Sequence, residues 1–386
     1  MPSDRRFLPG LLLAILLLGA CGAEEGRPVA APDAGPPAPA LPRIPWDPVT
    51  VVAARAVPAP TIDGRLDEAV WQGAPPSPPF VDIRGGDAPP PRFETRVRLL
   101  WDDEALYVGA EMEEPHLQSS LTERDAHIWQ EDNDFEVFLD PDHDTHDYVE
   151  LEVNAFGTEW DLLLDKPYRD GGRARDDFDL VGLETAVHLD GTVNDPRDVD
   201  QGWSVELRIP HSALAEVAGV RVPPRPGDVW RVNFSRVEWP FRVEGDRYVK
   251  SAPLPPDPDA HPEDNWVFSP QGLVAMHYPE RWGLLGFSAD PVVSPGARVE
   301  VRDEDRARDA LRRVYHVARR TMARDGTYDA LARSTFLSRP PGGFSWPPEV
   351  VLRPGGYEAS VALPDGRRLL LREDGWVGWA PGGEGR

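Results

Sequence analysis

The stretch that decides the fold runs Val149-Glu150-Leu151-Glu152-Val153-Asn154, in which apolar and polar residues alternate strictly. Successive side chains of a β-strand point to opposite faces, so the alternation puts the apolar residues on one face and the polar residues on the other. Patterning of this kind indicates a strand in a sheet that is packed on one side.

The same alternation recurs from about residue 50 to residue 287, in segments separated by turns rich in Gly, Pro and Asp. Hardly any stretch in this region repeats apolar residues at helical spacing. About ten such segments predict an all-β fold, namely a two-sheet antiparallel β-sandwich. Trp101 and Trp203 alternate with polar residues and are predicted to lie in its core.

The first 20 residues have the three zones of a secretion signal. Arg5 and Arg6 precede the apolar run of residues 11–18, and Leu18-Gly19-Ala20-Cys21 then places small residues ahead of the only cysteine. This order predicts a lipoprotein signal peptide over residues 1–20 and lipidation of Cys21, since only a thiol accepts the lipid thioether. A membrane span would need roughly 20 apolar residues. A cleaved signal without lipid is the remaining alternative.

Two further features of the amino-terminal region bear on location. Gly22 follows Cys21 in place of the aspartate that often holds lipoproteins at the inner membrane. The expected location is therefore the bacterial cell envelope, with the protein lipid-anchored in the outer membrane. Residues 21–48 are rich in Ala and Pro and have no apolar period, so they predict a partly extended tether.

The chain is strongly acidic, with 66 Asp and Glu against 41 Lys and Arg and a net charge of −25. Such a charge repels phosphate backbones and anionic headgroups, so nucleic acid is not expected as a partner. A single cysteine allows no internal disulfide. An exported fold of this kind relies on its core or on bound ions.

A series of short motifs runs through the region of alternating segments. The motifs are Thr61-Ile62-Asp63-Gly64-Arg65-Leu66-Asp67-Glu68 with Trp71, Leu100-Trp101-Asp102-Asp103-Glu104-Ala105-Leu106-Tyr107-Val108, Trp129 with Asp134-Phe135-Glu136-Val137-Phe138-Leu139-Asp140, Val153-Asn154-Ala155-Phe156-Gly157, Gly202-Trp203-Ser204-Val205-Glu206 with Ile209-Pro210, and Trp230-Arg231-Val232-Asn233-Phe234-Ser235-Arg236. In this order they resemble the family 9 carbohydrate-binding modules over nearly all of residues 50–288. The resemblance implies a two-sheet sandwich that binds mono- or polysaccharides between two facing tryptophans, with structural calcium as a support.

By position, the resemblance assigns carbohydrate-binding roles to three residues. Trp129 matches one aromatic wall, Glu136 the acceptor for sugar hydroxyls, and Asn154 the amide donor. Aromatic rings pack against the C–H face of a pyranose, and polar groups bind its hydroxyls.

Two positions depart from the pattern that the resemblance implies. Glu152 stands where well-studied members have an arginine, and Met276 stands near the position of the second clamp tryptophan. Glu152 is retained among the predicted carbohydrate-binding residues. The nearest aromatic substitutes for the second wall are Tyr278, Trp266 and Trp239, and Trp266 is included in the predicted site.

Each of the three matched residues also has a structural interpretation. Trp129 precedes a strand and could cap the sandwich. Glu136 lies between Phe135 and Val137, so its side chain faces the opposite way and could belong to a solvated face. Asn154, close to Gly157, could shape a turn.

The acidic stretch Asp140-Pro141-Asp142-His143-Asp144-Thr145-His146-Asp147 suggests a metal site. Its carboxylates suit calcium, but the Gly and Glu of an EF-hand loop are replaced by Thr145 and Leu151. The two histidines could bind zinc instead. A solvated acidic hairpin is the favoured interpretation, and the metal ligands of the chain stay unknown.

No catalytic motif stands out, since the sequence has no Gly-x-Ser-x-Gly, His-Glu-x-x-His, Walker or Gly-x-Gly-x-x-Gly pattern. The resemblance to carbohydrate-binding modules implies a carbohydrate-binding protein for polysaccharide capture or sensing. The alternatives are a structural or interaction lipoprotein whose sandwich has lost sugar binding, and a glycoside hydrolase acting on polysaccharide.

The domain boundaries follow from these patterns. Residues 49–290 are predicted to form the sandwich, and residues 300–386 a small α+β appendage of unknown function. Ala307, Leu311, Val314, Tyr315, Ala318 and Met322 lie on one stripe of a predicted helix. Asp303 is its expected N-cap and Gly326 its stop. Three short strands follow, and the arginines of the helix are predicted to face solvent.

Overall fold

The alternating segments form β-strands in the computed structural model, which describes residues 40–251, 262–331, 340 and 342–381. The predicted signal peptide, Cys21 and residues 22–39 of the predicted tether lie outside the described residues. Within those ranges the fold is mostly β with one α-helix. That helix is not apolar enough over its length to cross a membrane.

Nineteen strands are found in the described part of the chain. The α-helix, α1 (Asp303–Asp325), lies between the fifteenth and sixteenth strands. In chain order the strands are β1 (Thr50–Arg55), β2 (Val81–Asp82), β3 (Thr95–Trp101), β4 (Ala105–Glu113), β5 (Asp134–Asp140), β6 (Tyr148–Asn154), β7 (Glu159–Leu164), β8 (Ala174–Arg175), β9 (Glu184–Asp190), β10 (Gly202–Pro210), β11 (Val229–Glu238), β12 (Phe241–Glu244), β13 (Arg247–Lys250), β14 (Asp264–Val267), β15 (Gly283–Phe287), β16 (Glu349–Arg353), β17 (Gly356–Ala362), β18 (Arg368–Arg372) and β19 (Val377–Trp379).

The large sheet consists of two portions that share β1. Sheet A has the order β8-β7-β6-β5-β11-β15-β1, with β14 added at β11 and β2 added at β14, and sheet B has the order β1-β3-β4-β10-β9. Residues 50–53 of β1 pair with β15, and Ala54 and Arg55 pair with β3. Both pairings are parallel, so the predicted two separate, wholly antiparallel sheets do not hold at β1. Parallel partners need a long connection, which local alternation does not reveal.

The main hydrophobic core lies between sheets A and B. It contains the predicted core residues Trp101 and Trp203 together with apolar residues of β5 and β6 such as Val137 and Leu151. A second apolar cluster covers the other face of sheet A, so both faces of this sheet are buried. The second cluster consists of Ile128, Phe138, Tyr148, Trp160, Leu162, Leu164 and Trp282.

The appendage has a core of its own between α1 and the four-stranded sheet β16-β17-β18-β19. The predicted apolar stripe of α1 packs there, with Leu311 and Val314 against residues such as Tyr357 and Leu369. The helix ends as predicted at Gly326, which has a φ of 69° in the left-handed region.

The start of α1 differs from the prediction by one residue. Asp303 is the first helical residue, and the N-cap is Arg302. The Arg302 N–H donates to Asp305 Oδ2 at 2.8 Å, so a carboxylate of the first turn satisfies the donor just before the helix.

The appendage packs against the loop of residues 140–147, which we call the Asp140 loop. Arg308 Nη1 donates to His143 O at 3.2 Å, and Arg312 Nη2 donates to Asp144 O at 3.0 Å. Trp376 Nε1 donates to Asp144 Oδ2 at 2.6 Å. Two predictions are therefore wrong: the Asp140 loop is covered by the appendage and, apart from Asp147, buried or half-buried rather than a solvated hairpin, and Arg308 and Arg312 are buried.

Candidate functional site

The polar residues of β5 and β6 meet on the face of sheet A that points away from the main core. The register pairs Glu136 with Glu152 and Asp134 with Asn154. Carboxylate oxygens of Asp134, Glu136 and Glu152 all lie within 4.8 Å of one another. We call these three residues the carboxylate triad. The alternation seen in the sequence therefore converges three acids on one spot.

The carboxylate triad is enclosed rather than solvated. Glu136 is 3% exposed, and Asp134 and Glu152 are fully buried. A short 3-10 helix over Ile128–Gln130 packs on β6, and the Trp129 N–H donates to Glu152 Oε2 at 3.0 Å. The prediction that Glu136 faces away from its neighbours Phe135 and Val137 is confirmed. The structural alternative, a solvated face, does not hold because this face is covered.

Burial changes the protonation of all three acids. It raises the pKa of Glu136 to about 7, since a charged carboxylate is poorly solvated there. Burial and the neighbouring negative charge of Glu136 hold the pKa of Asp134 well above its usual value. The pKa of Glu152 is raised well above its usual value by burial and by the charges of Asp134, Glu136 and Glu150. Simultaneous ionisation of the three acids is therefore unfavourable.

Each acid of the carboxylate triad has one buried oxygen that no described residue hydrogen-bonds: Asp134 Oδ2, Glu136 Oε2 and Glu152 Oε1. Ser235 lies directly across from Glu136 on β11 and is fully buried. Buried polar atoms in folded proteins nearly always have a partner. Three unpartnered oxygens on three neighbouring acids therefore require an explanation.

Asn154 is fully occupied within the protein. Its Nδ2 donates to Leu121 O and to Asp132 Oδ2, both at 2.9 Å. Its Oδ1 accepts the N–H groups of Phe156 and Thr158, both at 3.0 Å. These bonds shape the turn after β6, in line with the structural interpretation, and leave the amide without a free donor for a sugar.

Trp129 lies at the surface above the carboxylate triad, with 36% of the residue exposed. Trp239 lies next to it, because Trp239 Nε1 donates to Trp129 O at 2.8 Å. Lys250 Nζ lies 3.7 Å from the centre of the Trp239 ring and 3.6 Å from Glu131 Oε2. We call Trp129, Glu131, Trp239 and Lys250 the Trp129 patch, which combines aromatic rings with exposed hydrogen-bonding groups.

Trp266 and Tyr278, which were candidates for a second aromatic wall, are buried. Trp266 is 2% exposed and belongs to the main core, where it meets Phe93 edge to face at 6.0 Å. Tyr278 is 5% exposed, and Arg169 lies 3.9 Å above its ring. An enclosed ring offers no open face to a sugar, so the inclusion of Trp266 in the site is corrected. Trp239 is the substitute that adjoins Trp129.

Glu131 and Lys250 were missed by the sequence analysis. No motif or period marks either residue, and Lys250 reaches the Trp129 patch from the end of the β12–β13 hairpin. Only folding brings it beside Trp239.

A second group of acids, Asp140, Asp142 and Asp144, lies in the Asp140 loop with carboxylate oxygens within 4.8 Å of one another. Burial raises the pKa of Asp140 to about 7 and that of Asp142 to about 9, with nearby carboxylates adding to both shifts. The positive charges of Arg231 and Arg308 act in the opposite direction on the pKa of Asp140. Side chains of the protein therefore already supply positive charge here.

Neither His143 nor His146, the two histidines predicted as possible zinc ligands, belongs to this group of acids. The carboxylates that lie within ligand distance of one another include no histidine nitrogen among the described residues. His143 Nε2 lies 3.1 Å from Val229 O and so already has a hydrogen-bond partner.

Comparison with known proteins agrees with the resemblance noted in the sequence. The family model described as "Carbohydrate family 9 binding domain-like" matches residues 62–220. A search of curated proteins found no match.

Three solved structures are similar to the chain at low identity. A family 9 carbohydrate-binding module from Caldicellulosiruptor kristjanssonii in complex with cellotriose is 19% identical, covering 66% of this chain and 98% of that chain with a TM-score of 0.38. A module of the same description and organism in complex with glucose is 19% identical, covering 64% and 99% with a TM-score of 0.38. A putative carbohydrate-binding protein from Bacteroides uniformis is 17% identical, covering 63% and 100% with a TM-score of 0.45.

The match of residues 62–220 spans Trp129 and the whole carboxylate triad. This stretch of the chain is a domain like those of carbohydrate-binding family 9.

Proposed function

We propose that the chain is a lipid-anchored, extracytoplasmic protein that binds carbohydrate at the Trp129 patch. The observation that carries the proposal is the exposed indole of Trp129, within the segment that the family 9-like model matches. A sugar ring presents apolar C–H groups that pack on such a surface, while its hydroxyls need hydrogen-bonding partners at the edge.

The Trp129 patch offers both kinds of contact. Trp129 and Trp239 supply aromatic surface, and Glu131 and Lys250 supply an acceptor and a donor for hydroxyls. Glu152 acts as a positioning residue, because its Oε2 accepts the Trp129 N–H from below. Glu136 and Asn154 lie behind the surface and support it without touching the ligand.

Isothermal titration of the purified full chain, guided by a glycan array, tests this proposal. Cellotriose and glucose, the sugars named for two of the similar structures, are the first probes. We expect Trp129→Ala to weaken binding of the bound sugar by at least about tenfold, which corresponds to about 1.4 kcal/mol. The matched control is Trp346→Ala in the appendage, which should bind as the wild type does.

A second candidate function is a structural or interaction lipoprotein without a sugar site. It is favoured by the complete hydrogen bonding of Asn154 and the burial of Glu136 and Glu152. A full array without binding, together with a silent Trp129→Ala, would select this candidate over carbohydrate binding.

The anchoring part of the proposal rests on the order of basic, apolar and small residues before Cys21. We expect the full chain to incorporate labelled fatty acid and to fractionate with the outer membrane. Cys21→Ser should abolish the label and release the protein. Labelling that persists in Cys21→Ser would show that Cys21 is not the lipidated residue.

A further inference from the structure

We propose that the carboxylate triad of Asp134, Glu136 and Glu152 binds a divalent cation of the calcium type beneath Trp129. The site is separate from the sugar contacts of the Trp129 patch, and the proposal does not depend on sugar binding. Its evidence is the set of buried oxygens, the charges around them and the chemistry of the donors.

The first observation is the set of unsatisfied oxygens. Asp134 Oδ2, Glu136 Oε2 and Glu152 Oε1 are buried and unpartnered within the described ranges, and they belong to three acids whose oxygens lie within 4.8 Å of one another. The buried Ser235 lies on the same face of sheet A, opposite Glu136. A metal ion at this point satisfies atoms whose burial without a partner destabilises the fold.

The second observation is the missing positive charge. Other buried acids of this protein have partners: Glu114 and Glu238 contact Arg236 at 2.7 and 3.0 Å, and Glu280 contacts Arg169 at 2.8 Å. No ion pair within the described part of the chain joins Asp134, Glu136 or Glu152 to a Lys, Arg or His. Buried charges in proteins are paired or bind metals, so the arrangement calls for a cation from outside.

Glu150, the acid beside the carboxylate triad, brings no positively charged partner to the site. Glu150, on the same face of β6, is 5% exposed and adds a fourth carboxyl group. Its closest cationic candidate is His277, whose Nε2 lies 3.9 Å from Glu150 Oε2. Burial lowers the pKa of His277 to about 3, so this imidazole is neutral at pH 7.

The Asp140 loop provides an internal comparison. Its three carboxylates are as close together as those of the carboxylate triad. Arg308 and Arg312 donate to the backbone carbonyls of His143 and Asp144, which brings positive charge beside the loop, and Trp376 Nε1 donates to the Asp144 carboxylate. One carboxylate oxygen of the loop, Asp140 Oδ1, is buried without a hydrogen bond among the described residues, whereas the carboxylate triad has three such oxygens. The carboxylate triad is therefore assigned as the cation site.

The donors indicate which cation fits. All are hard oxygen atoms from carboxylates, with a hydroxyl beside them, and this set suits Ca²⁺ or Mg²⁺ rather than zinc or copper. Calcium accepts irregular oxygen cages, whereas Mg²⁺ usually retains several waters. Three side chains held on two paired strands are an irregular set of this kind, so Ca²⁺ is the cation expected to bind more tightly.

The test is titration of CaCl2 into the chelator-treated full chain by calorimetry, with MgCl2 in parallel. We expect Ca²⁺ to bind with a Kd below about 1 mM and to raise the thermal midpoint. Glu136→Gln and Glu152→Gln should each weaken binding at least about tenfold and remove the rise in the midpoint. Asp142→Asn, in the Asp140 loop, is the matched control and should bind Ca²⁺ as the wild type does.

The heats of binding and the thermal midpoints decide whether the proposal holds. No heat and no midpoint shift with either cation would overturn the proposal, and so would a loss of binding in Asp142→Asn with retention in both Gln variants. Glutamine is nearly isosteric with glutamate, and the far-ultraviolet circular dichroism of the variants verifies that they fold. Because no sugar is present, failure of this test leaves sugar binding at the Trp129 patch untouched, and the reverse also holds.

Discussion

Glu136 and Glu152 face each other across β5 and β6, each with one buried oxygen that no described residue hydrogen-bonds. The other Glu152 oxygen, Oε2, accepts the N–H of Trp129 at 3.0 Å. The backbone of Trp129, which carries the exposed indole, is thus bonded directly to a buried group of acids. A cation or a proton that moves Glu152 therefore acts directly on the residue that holds Trp129 in place.

Replacing Glu152 by Gln should stabilise the protein when cations are removed. In chelator at pH 8, Glu152→Gln eliminates one of the mutually repelling buried acids while an amide oxygen still accepts the Trp129 N–H. We expect a gain of about 1–3 kcal/mol in the free energy of unfolding, measured by urea denaturation. In saturating Ca²⁺ the order should reverse. A variant that is less stable than the wild type in chelator would contradict the repulsion argument.

Trp239 should contribute to sugar binding through its contact with Trp129. Trp239→Phe keeps a ring but removes the N–H that donates to Trp129 O. We expect an affinity about three- to tenfold lower by calorimetry, in line with the loss of about one hydrogen bond. Trp346→Phe is the control. Equal affinity of Trp239→Phe and the wild type would exclude Trp239 from the site.

Stability should fall with rising pH because of the Asp140 loop. Burial raises the pKa of Asp140 to about 7 and of Asp142 to about 9, against about 4 for an unfolded carboxyl group. Above about pH 4 the folded state therefore holds protons that the unfolded state has released, so stability declines from about pH 4 until the pH has passed 7 for Asp140 and 9 for Asp142. Asp144, Arg231, Arg308 and Arg312 are the charged groups that act on the loop.

Urea unfolding at pH 6 and pH 9 measures this effect. Asp142→Asn cannot ionise, so its free energy of unfolding should fall less between the two values than that of the wild type. Asp177→Asn replaces an acid whose side chain is 84% exposed and should follow the wild type. Parallel profiles for Asp142→Asn and the wild type would show that Asp142 does not hold the proton.

Arg312 should be essential for docking of the appendage. Its side chain is buried and donates to Asp144 O at 3.0 Å and to the carbonyl of Gly375. Arg312→Ala leaves the Gly375 carbonyl without this donor and Asp144 O with the Val377 N–H at 3.3 Å, so we expect a loss of about 2–4 kcal/mol in the free energy of unfolding.

The neighbouring residue is the control for that substitution. Arg313 is 49% exposed and pairs with Asp309 on the surface of α1. Arg313→Ala should cost less than about 1 kcal/mol, since exposed ion pairs contribute little. Similar losses for both variants by chemical denaturation would contradict the docking role of Arg312.

Much of the local structure follows from the residue pattern. The alternation over residues 149–154 forms β6, the apolar stripe of α1 faces its own sheet, and Gly326 ends the helix. The face of the sheet toward which the Glu136 side chain points was predictable for the same reason. Side-chain direction has a period of two along a strand, whatever the strand packs against.

The site was less predictable. Trp266 carries the same indole as Trp129, yet one lies in the core and the other at the surface. Exposure depends on which segments cover a residue, and those segments are distant in sequence. The shared β1 strand escaped prediction for a similar reason, because its partners β3 and β15 are chosen by the fold rather than by the six residues of β1.

The acids of β5 and β6 illustrate where local pattern ends. Their order along the chain alone places Asp134, Glu136 and Glu152 on the polar side of their strands, because each strand directs every second side chain to the same face. Strand register and the helix over Ile128–Gln130 decide whether that side is exposed to water, paired with arginines or buried without a counter-charge. Long-range packing buries these acids without a positively charged partner among the described residues. That packing is what distinguishes a cation site from an ordinary solvated surface.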